Sequence, residues 1–161
     1  IVSRHEWPQD AHPAALRVAT SAVRLGVNPL LAGLKHLNRL EQVLAQLSRP
    51  PLVDEVLMLS SAGQVISGSM SNVFFADEAG LFTPPLHECG VEGVMRRVVL
   101  EAARDLPLTV RSVVPAELGS VREAFMTNIR WGVRPVAMLD GRALPSDDYA
   151  QQLRRLIDGG D

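Results

Sequence analysis

Three turn signals fall between Glu55 and Thr83, and they leave no room for a helix. Residues 55–59 (Glu-Val-Leu-Met-Leu) form an apolar run of strand length, and Ser61-Ala62-Gly63-Gln64 reads as a hairpin turn into Val65-Ile66-Ser67. Gly68-Ser69-Met70-Ser71 interrupts that return strand. Residues 72–76 (Asn-Val-Phe-Phe-Ala) then extend again, and Asp77-Glu78-Ala79-Gly80 turns the chain into Leu81-Phe82-Thr83. A chain built this way folds as meandering strands, and its helices are insertions between them.

Residues 16–25 alternate as a strand, with Leu16, Val18, Thr20 and Ala22 on one side and Arg17, Ala19 and Ser21 on the other. Asn28-Pro29 breaks the pattern. Leu37, Leu40, Val43, Leu44 and Leu47 recur at helical spacing, stopped by Ser48-Arg49-Pro50-Pro51. After Pro84-Pro85, Gly90 and Gly93 precede a helix predicted over 94–105, with Val94, Val98 and Ala102 along one stripe. Residues 108–114 read as a strand and 115–118 as a short helical turn. Strands are predicted over 123–127 and 133–139, around a loop at 128–132, and a final helix over 149–157. The class is α+β.

With a formal net charge of −2 and a pI of about 6.1, nothing points to nucleic acid or an anionic membrane. No apolar run reaches the roughly 18–20 residues that span a bilayer. Cys89 is the only cysteine, which excludes an internal disulfide; beside Gly90 it reads as a small packing residue. His5, His12, His36 and His87 lack metal-ligand spacing. These features fit a cytoplasmic protein. Residues 7–15 carry two prolines and read as a linker, and Ile1-Val2-Ser3 reads as strand without signal-peptide character. The expectation is therefore a piece of a longer protein: residues 1–15 as a strand remnant and interdomain linker, and 16–161 as one domain.

Of 16 basic Lys and Arg residues, 15 are Arg, and the single lysine is Lys35. A guanidinium stays protonated, whereas an ε-amine can lose its proton and attack a carbonyl. Lys35 sits among Leu30, Leu31, Leu34 and Leu37, a setting expected to lower its pKa. Two further loops could meet it around a small ligand. Gly90-Val91-Glu92-Gly93-Val94-Met95-Arg96 is a glycine-containing helix entry, where free N–H groups and the helix dipole favour an anion. Thr127-Asn128-Ile129-Arg130 is a strand end bearing a hydroxyl and an amide. Read from residues alone, the first also matches an ordinary loop-to-helix junction and the second an ordinary turn. An amine plus two anion-binding turns is what pyridoxal phosphate requires.

Lys35-His36-Leu37-Asn38-Arg39-Leu40-Glu41-Gln42 closely resembles the lysine motif of the 4-amino-4-deoxychorismate lyases. These belong to the fold-type IV pyridoxal-phosphate enzymes, with the branched-chain and D-amino-acid aminotransferases. Val23-Arg24-Leu25-Gly26-Val27-Asn28-Pro29 is similar to the approach to that lysine, and Ser71-Asn72-Val73-Phe74-Phe75 to the family's Ser-Asn-aromatic strand. Thr83-Pro84 with residues 90–96 resembles its first phosphate loop. Thr127-Asn128-Ile129 and Gly132-Val133-Arg134-Pro135-Val136 resemble its second.

The resemblance implies the larger C-terminal domain of that fold, with mixed strands in a barrel-like arrangement and flanking helices. It implies that Lys35 holds pyridoxal 5′-phosphate as a Schiff base. Lys35 then moves protons while pyruvate leaves 4-amino-4-deoxychorismate and 4-aminobenzoate forms, a step of folate biosynthesis. The backbone of Gly93, Val94, Asn128 and Ile129, with Thr127, would bind the phosphate, and the usual oligomer is a homodimer. In the family a Glu about five residues before the Asn of Ser71-Asn72 keeps the pyridine nitrogen protonated; here that position is Ser67. A serine can bond that nitrogen but supplies no charge, a loss that an elimination tolerates better than a transamination. The resemblance implies that the family's smaller N-terminal domain is missing from this stretch of sequence. The alternatives are an aminotransferase of the same fold type and a non-catalytic remnant.

Overall fold

Phe74 and Phe75 are neighbours in sequence and both are fully buried, so the strand that carries them has no solvent face. In the computed structural model, which describes residues 14–159, that strand lies deep inside one mixed sheet. The strands are β1 (Leu16–Leu25), β2 (Glu55–Ser60), β3 (Val65–Gly68), β4 (Asn72–Asp77), β5 (Gly80–Thr83), β6 (Leu108–Val110), β7 (Glu123–Asn128), β8 (Gly132–Leu139) and β9 (Arg142–Ala143). Their order is β3-β2-β1-β8-β7-β4-β5-β6, with β9 beside β8. The two ends of that path approach each other, because Val65 N–H, in β3, donates to Val113 O, just beyond β6, at 2.8 Å. The sheet is therefore wrapped into a barrel-like α+β fold.

Most pairs are antiparallel, but β1–β2, β1–β8 and β5–β6 run parallel. A parallel pair needs a crossover between its strands. The β1–β2 crossover carries Lys35 and α1 (Leu40–Leu47), and the β5–β6 crossover carries α2 (Val94–Ala102). The helix α3 (Asp148–Asp158) closes the described chain, after a 3₁₀ turn at Pro115–Gly119.

Alternation along the strands fills three apolar clusters. Val73 and Phe75 point inward with Leu57, Leu59, Val65 and Met126. Phe74 and Ala76 point outward under α2 and α3, against Val99 and Leu153. The Phe74 and Phe125 rings stack there at 5.0 Å between centroids. The helix α1 covers Val56, Met58 and Ile66 through Ala45. Each large side chain buried in this way contributes about 2 kcal/mol.

Several predicted boundaries move. Leu16 and Val18 are buried as expected, but the register shifts between Thr20 and Arg24, so Ser21 and Leu25 become the inward residues and Ala22 is exposed. The helix predicted over 94–105 stops at Ala102, where Ala103 leaves helical geometry and Arg104 N–H tightens the end onto Glu101 O. Regular pairing in the strand predicted over 108–114 ends at Val110. The stripe on α1 is helical but outward: Leu40, Leu44 and Leu47 are exposed and only Ala45 is buried. The linker read over 7–15 lies outside the described residues except for its last two.

Glu123 ties α3 to the barrel. This buried carboxylate accepts Ala150 N–H at 2.7 Å and Tyr149 N–H at 3.0 Å, capping the first turn of α3 from strand β7. Burial pushes its carboxyl above the usual range, against the opposing pull of those N–H groups. A raised folded-state pKa means that the folded form holds the proton better than the unfolded chain does. That contribution to stability is fully present below the unfolded value and is lost as pH rises through the folded one. Thermal unfolding of wild type and Glu123→Gln across a pH series should show wild type gaining stability relative to the variant as pH falls from neutral toward 4. A constant difference would show that Glu123 does not titrate in this way.

Candidate active site

The Lys35 segment is held by main-chain bonds. Asn28 N–H donates to Glu88 O at 2.9 Å, and Asn28 O accepts Leu31 and Ala32 N–H at 3.0 Å each. Gly33 has φ +78°, a left-handed conformation that glycine adopts without strain. Its N–H donates to Gly90 O and its carbonyl accepts Glu92 N–H, both at 3.0 Å, which forms a one-residue parallel bridge to Val91. Two residues later comes Lys35, exposed between the exposed Leu34 and Leu37. The desolvation expected from its apolar neighbours is thus not provided by the described residues.

The bridge continues into the entry of α2. Asn72, at the start of β4, donates from Nδ2 to Val91 O at 2.9 Å and accepts Gly93 N–H on Oδ1 at 3.0 Å. Gly93 is the N-cap of α2 and offers no side-chain cap, and Arg97 N–H is the donor to its carbonyl. The N–H groups of Val94, Met95 and Arg96 therefore have no acceptor within the helix. A Cβ on Gly93 would overlap Asn72 Oδ1. Arg96, in the same first turn, is buried; its Nη2 donates to Pro84 O at 3.0 Å and Nη1 lies 3.5 Å from Glu92. Burial lowers its pKa while Glu92 raises it, and its charge adds to the positive end of the helix.

Across the ladder, Asn72 pairs with Thr127. Thr127 is 1% exposed, and its Oγ1 is buried without a hydrogen-bond partner. Next to it, Asn128 accepts Arg130 N–H at 2.9 Å and Trp131 N–H at 3.0 Å, which shapes the turn that exposes Ile129. Its Nδ2 donates to Met70 O at 3.3 Å, joining this turn to the loop 68–71. Arg39, at the N-cap of α1, pins the same loop by donating to Ser69 O at 3.0 Å.

Beneath the loop lies Glu55, fully buried. It accepts Ser69 Oγ–H at 2.6 Å, Ser71 Oγ–H at 3.1 Å, Met70 N–H at 3.2 Å and Gln46 Nε2–H at 2.9 Å, and also the Val56 and Ser69 N–H groups. Six donors on one group suit a carboxylate, which accepts on both oxygens. Ser67 precedes this loop in β3, buried, with its hydroxyl donating to Gly68 O at 2.9 Å.

The structure thus links the Lys35 segment, Gly93-Val94 and Thr127-Asn128-Ile129 through Asn72. Ser67 joins them only through the loop 68–71. Sequence reasoning missed Glu55, Arg96 and the clamp formed by Asn72; a lone acid opening an apolar strand was the available signal for the first. Beside the lysine segment is a cavity of about 240 Å³, lined by Leu25, Asn28, His36, Glu41 and Cys89 and bordered by Gly90 and Val91 of the bridge, but by none of the predicted site residues. Burial, then Glu88 and Glu41, push the Cys89 thiol up to about 11, which suits a packing residue. Among the described residues no His, Cys, Asp and Glu cluster could hold a metal, and no helix is long and apolar enough to cross a membrane.

The profile of the amino-transferase class IV family matches residues 1–139, and the chain belongs to that family. It is 35% identical over 148 residues to an aminodeoxychorismate lyase of Vibrio harveyi, covering 89% of this chain and 54% of that protein. The crystal structure of 4-amino-4-deoxychorismate lyase from Pseudomonas aeruginosa superposes with a TM-score of 0.87 at 38% identity, covering 94% of this chain and 59% of that one. The crystal structure of a T.th. branched-chain amino acid aminotransferase with pyridoxamine 5′-phosphate gives 0.84 at 25% identity, covering 97% and 56%. The chain therefore spans little more than half the length of these relatives, and its fold is that of the fold-type IV enzymes.

The unpartnered Thr127 hydroxyl and the uncapped α2 entry fit a phosphate group. Thr127→Val keeps the shape and removes the hydroxyl. The unliganded variant should melt at or above the wild-type temperature, since an orphan buried polar atom is lost. Its affinity for pyridoxal phosphate should fall at least about tenfold, the scale of ~1.5–3 kcal/mol for a bond to a charged group. Lower unliganded stability, or unchanged affinity in titrations, would remove Thr127 from the site.

Proposed function

We propose that this chain is the cofactor-binding part of a pyridoxal-phosphate-dependent lyase that converts 4-amino-4-deoxychorismate into 4-aminobenzoate and pyruvate. The observation that carries the cofactor is that Asn72 clamps the helix entry to which the segment bearing the only lysine is bridged at Gly33, and lies across the ladder from a buried hydroxyl without a partner. Lyase over aminotransferase is supported by the higher identity to the lyase relatives over nearly the whole chain, and by Ser67 where a carboxylate is expected.

Bound there, pyridoxal phosphate would supply an aldehyde for an amine and a sink for the electron pair released at the substrate carbon. The N–H groups of Val94, Asn128 and Ile129, with Thr127 Oγ1, would hold the phosphate, while Gly93, expected to share in it, has its N–H taken by Asn72 Oδ1. The buried Arg96 charge strengthens that hold without touching it. Ser67 would face the ring nitrogen and, with its hydrogen given to Gly68 O, would serve there as an acceptor. Lys35 Nζ is the nucleophile and afterwards the proton carrier. Leu30, Leu34, Leu37 and Leu40 form an exposed apolar surface in the stretch that carries Lys35, where water must be excluded. In this reading the cover comes from the remaining length that the relatives possess, in a cytoplasmic homodimer acting on a small molecule.

A second reading, an aminotransferase, is favoured by the close superposition on the branched-chain enzyme with pyridoxamine 5′-phosphate. Pyruvate released from 4-amino-4-deoxychorismate, against an amino group passed to a keto acid, separates the two.

Lys35→Arg keeps the charge and removes the nucleophile. With the α-amino group blocked, borohydride should fix pyridoxal phosphate to the wild-type peptide containing Lys35 and to nothing in the variant; a fixed adduct in Lys35→Arg sinks the assignment. Ser67→Glu, in a chain extended to the relatives' full length, should raise lyase turnover about tenfold, equivalent to ~1.4 kcal/mol at the transition state. An unchanged rate with cofactor bound would place Ser67 away from the ring.

A further inference from the structure

We infer that Asn72 is a positioning residue that couples the anion-binding entry of α2 to the Lys35 segment. The inference rests on the reading of Lys35 and Gly93 given above and deepens it. Asn72 is buried, at 5% exposure, and both ends of its amide are committed: Nδ2 to Val91 O and Oδ1 to Gly93 N–H. The intervening Glu92 N–H goes to Gly33 O, and Gly33 N–H returns to Gly90 O. Residues 90–93 are thus a short strut, clamped on one side by a β4 side chain and on the other by the backbone two residues before Lys35.

Each part of the clamp excludes the obvious replacements. One donor and one acceptor are needed at fixed separation, which an amide supplies and a carboxylate does not. Serine and alanine do not reach, and any side chain at position 93 overlaps Asn72 Oδ1. An anion drawn to the free N–H of Val94 restrains the residue next to Gly93, whose own N–H Asn72 holds, and Asn72 carries that restraint through Val91 and Gly33 to the Lys35 segment. Phosphate occupancy thereby sets where the amine stands.

The test compares wild type, Asn72→Ala and Asn72→Asp in two measurements. The first is amide hydrogen exchange in the chain as it is, with inorganic phosphate as the probe. Wild type should gain protection at Gly33, Glu92 and Gly93 when phosphate is added. In Asn72→Ala those three amides should exchange at least tenfold faster, with no response at Gly33, while the β4 amides of Phe74 and Phe75 stay protected. The second is borohydride capture at Lys35 by pyridoxal phosphate against pyridoxal, which lacks the phosphate. The wild-type preference for the phosphorylated aldehyde should shrink at least tenfold in the variant.

Asn72→Asp provides a switch should Asn72→Ala not fold. Its protonated acid is isosteric with the amide and can donate to Val91 O, whereas its carboxylate cannot. Protection at Gly33 should therefore match wild type at low pH and fall below it at neutral pH. Protection lost at Gly93 alone, or retained at Gly33 in both variants, overturns the coupling. Absence of any Lys35 adduct in wild type overturns the cofactor reading instead, and the exchange data still decide the coupling.

Discussion

A buried primary amide is tolerable only where a donor and an acceptor await it, and the candidate site is organised around one such place. Asn72 occupies the first position of β4, whose next residues are packed on both faces by Val73, Phe74 and Phe75. The strand cannot shift without disturbing two apolar clusters, so the amide inherits the rigidity of the core. It passes that rigidity to residues 91–93, which have little regular structure of their own. A precise site is in this way hung on loops without the loops having to be stiff themselves.

Two buried charges work at opposite ends of this arrangement. Glu55 gathers six donors under the loop 68–71, so removing it would strand several buried polar groups at once, a loss on the order of 3–5 kcal/mol. Gly68 fits between Glu55 and Ser71 only because it has no Cβ: one would lie 3.2 Å from Glu55 Oε2 and overlap Ser71 Oγ. Arg96 does the converse behind α2. A cation in the first turn of a helix opposes the dipole, and its bonds to Pro84 O and Glu92 hold it there. Its position makes electrostatic sense beside an anion.

How much of this was legible in the sequence depended on whether the signal was local. Turns at Gly63 and Gly80 marked the hairpins because φ there is positive, at +82° and +127°. Lys35 stood out because Arg does every other basic task in the chain. The clamp was not readable, since nothing near Asn72 in sequence says that its partners are Val91 and Gly93. The face switch in β1 was hidden for a similar reason: a bulge appears only when two strands are set side by side. Glu55 was passed over because one acid at the start of an apolar strand has the look of a solvated strand end until the loop that covers it is in place.

The outward stripe of α1 shows what periodicity does and does not say. Leu40, Leu44 and Leu47 lie at i, i+4 and i+7, the spacing of a helix face made to be covered, yet all three are exposed. Spacing reports that a face is apolar; it does not identify the surface that meets it. Leu34 and Leu37 carry the same exposed character to either side of Lys35. Apolar area and nucleophile therefore share one surface, and the two demands converge. The leucines favour removal from water at about 25 cal/mol per Å², and an amine that must lose its proton near neutral pH benefits from the same desolvation. A single cover over this surface would meet both demands, so stability of the whole assembly and readiness of Lys35 would rise and fall together.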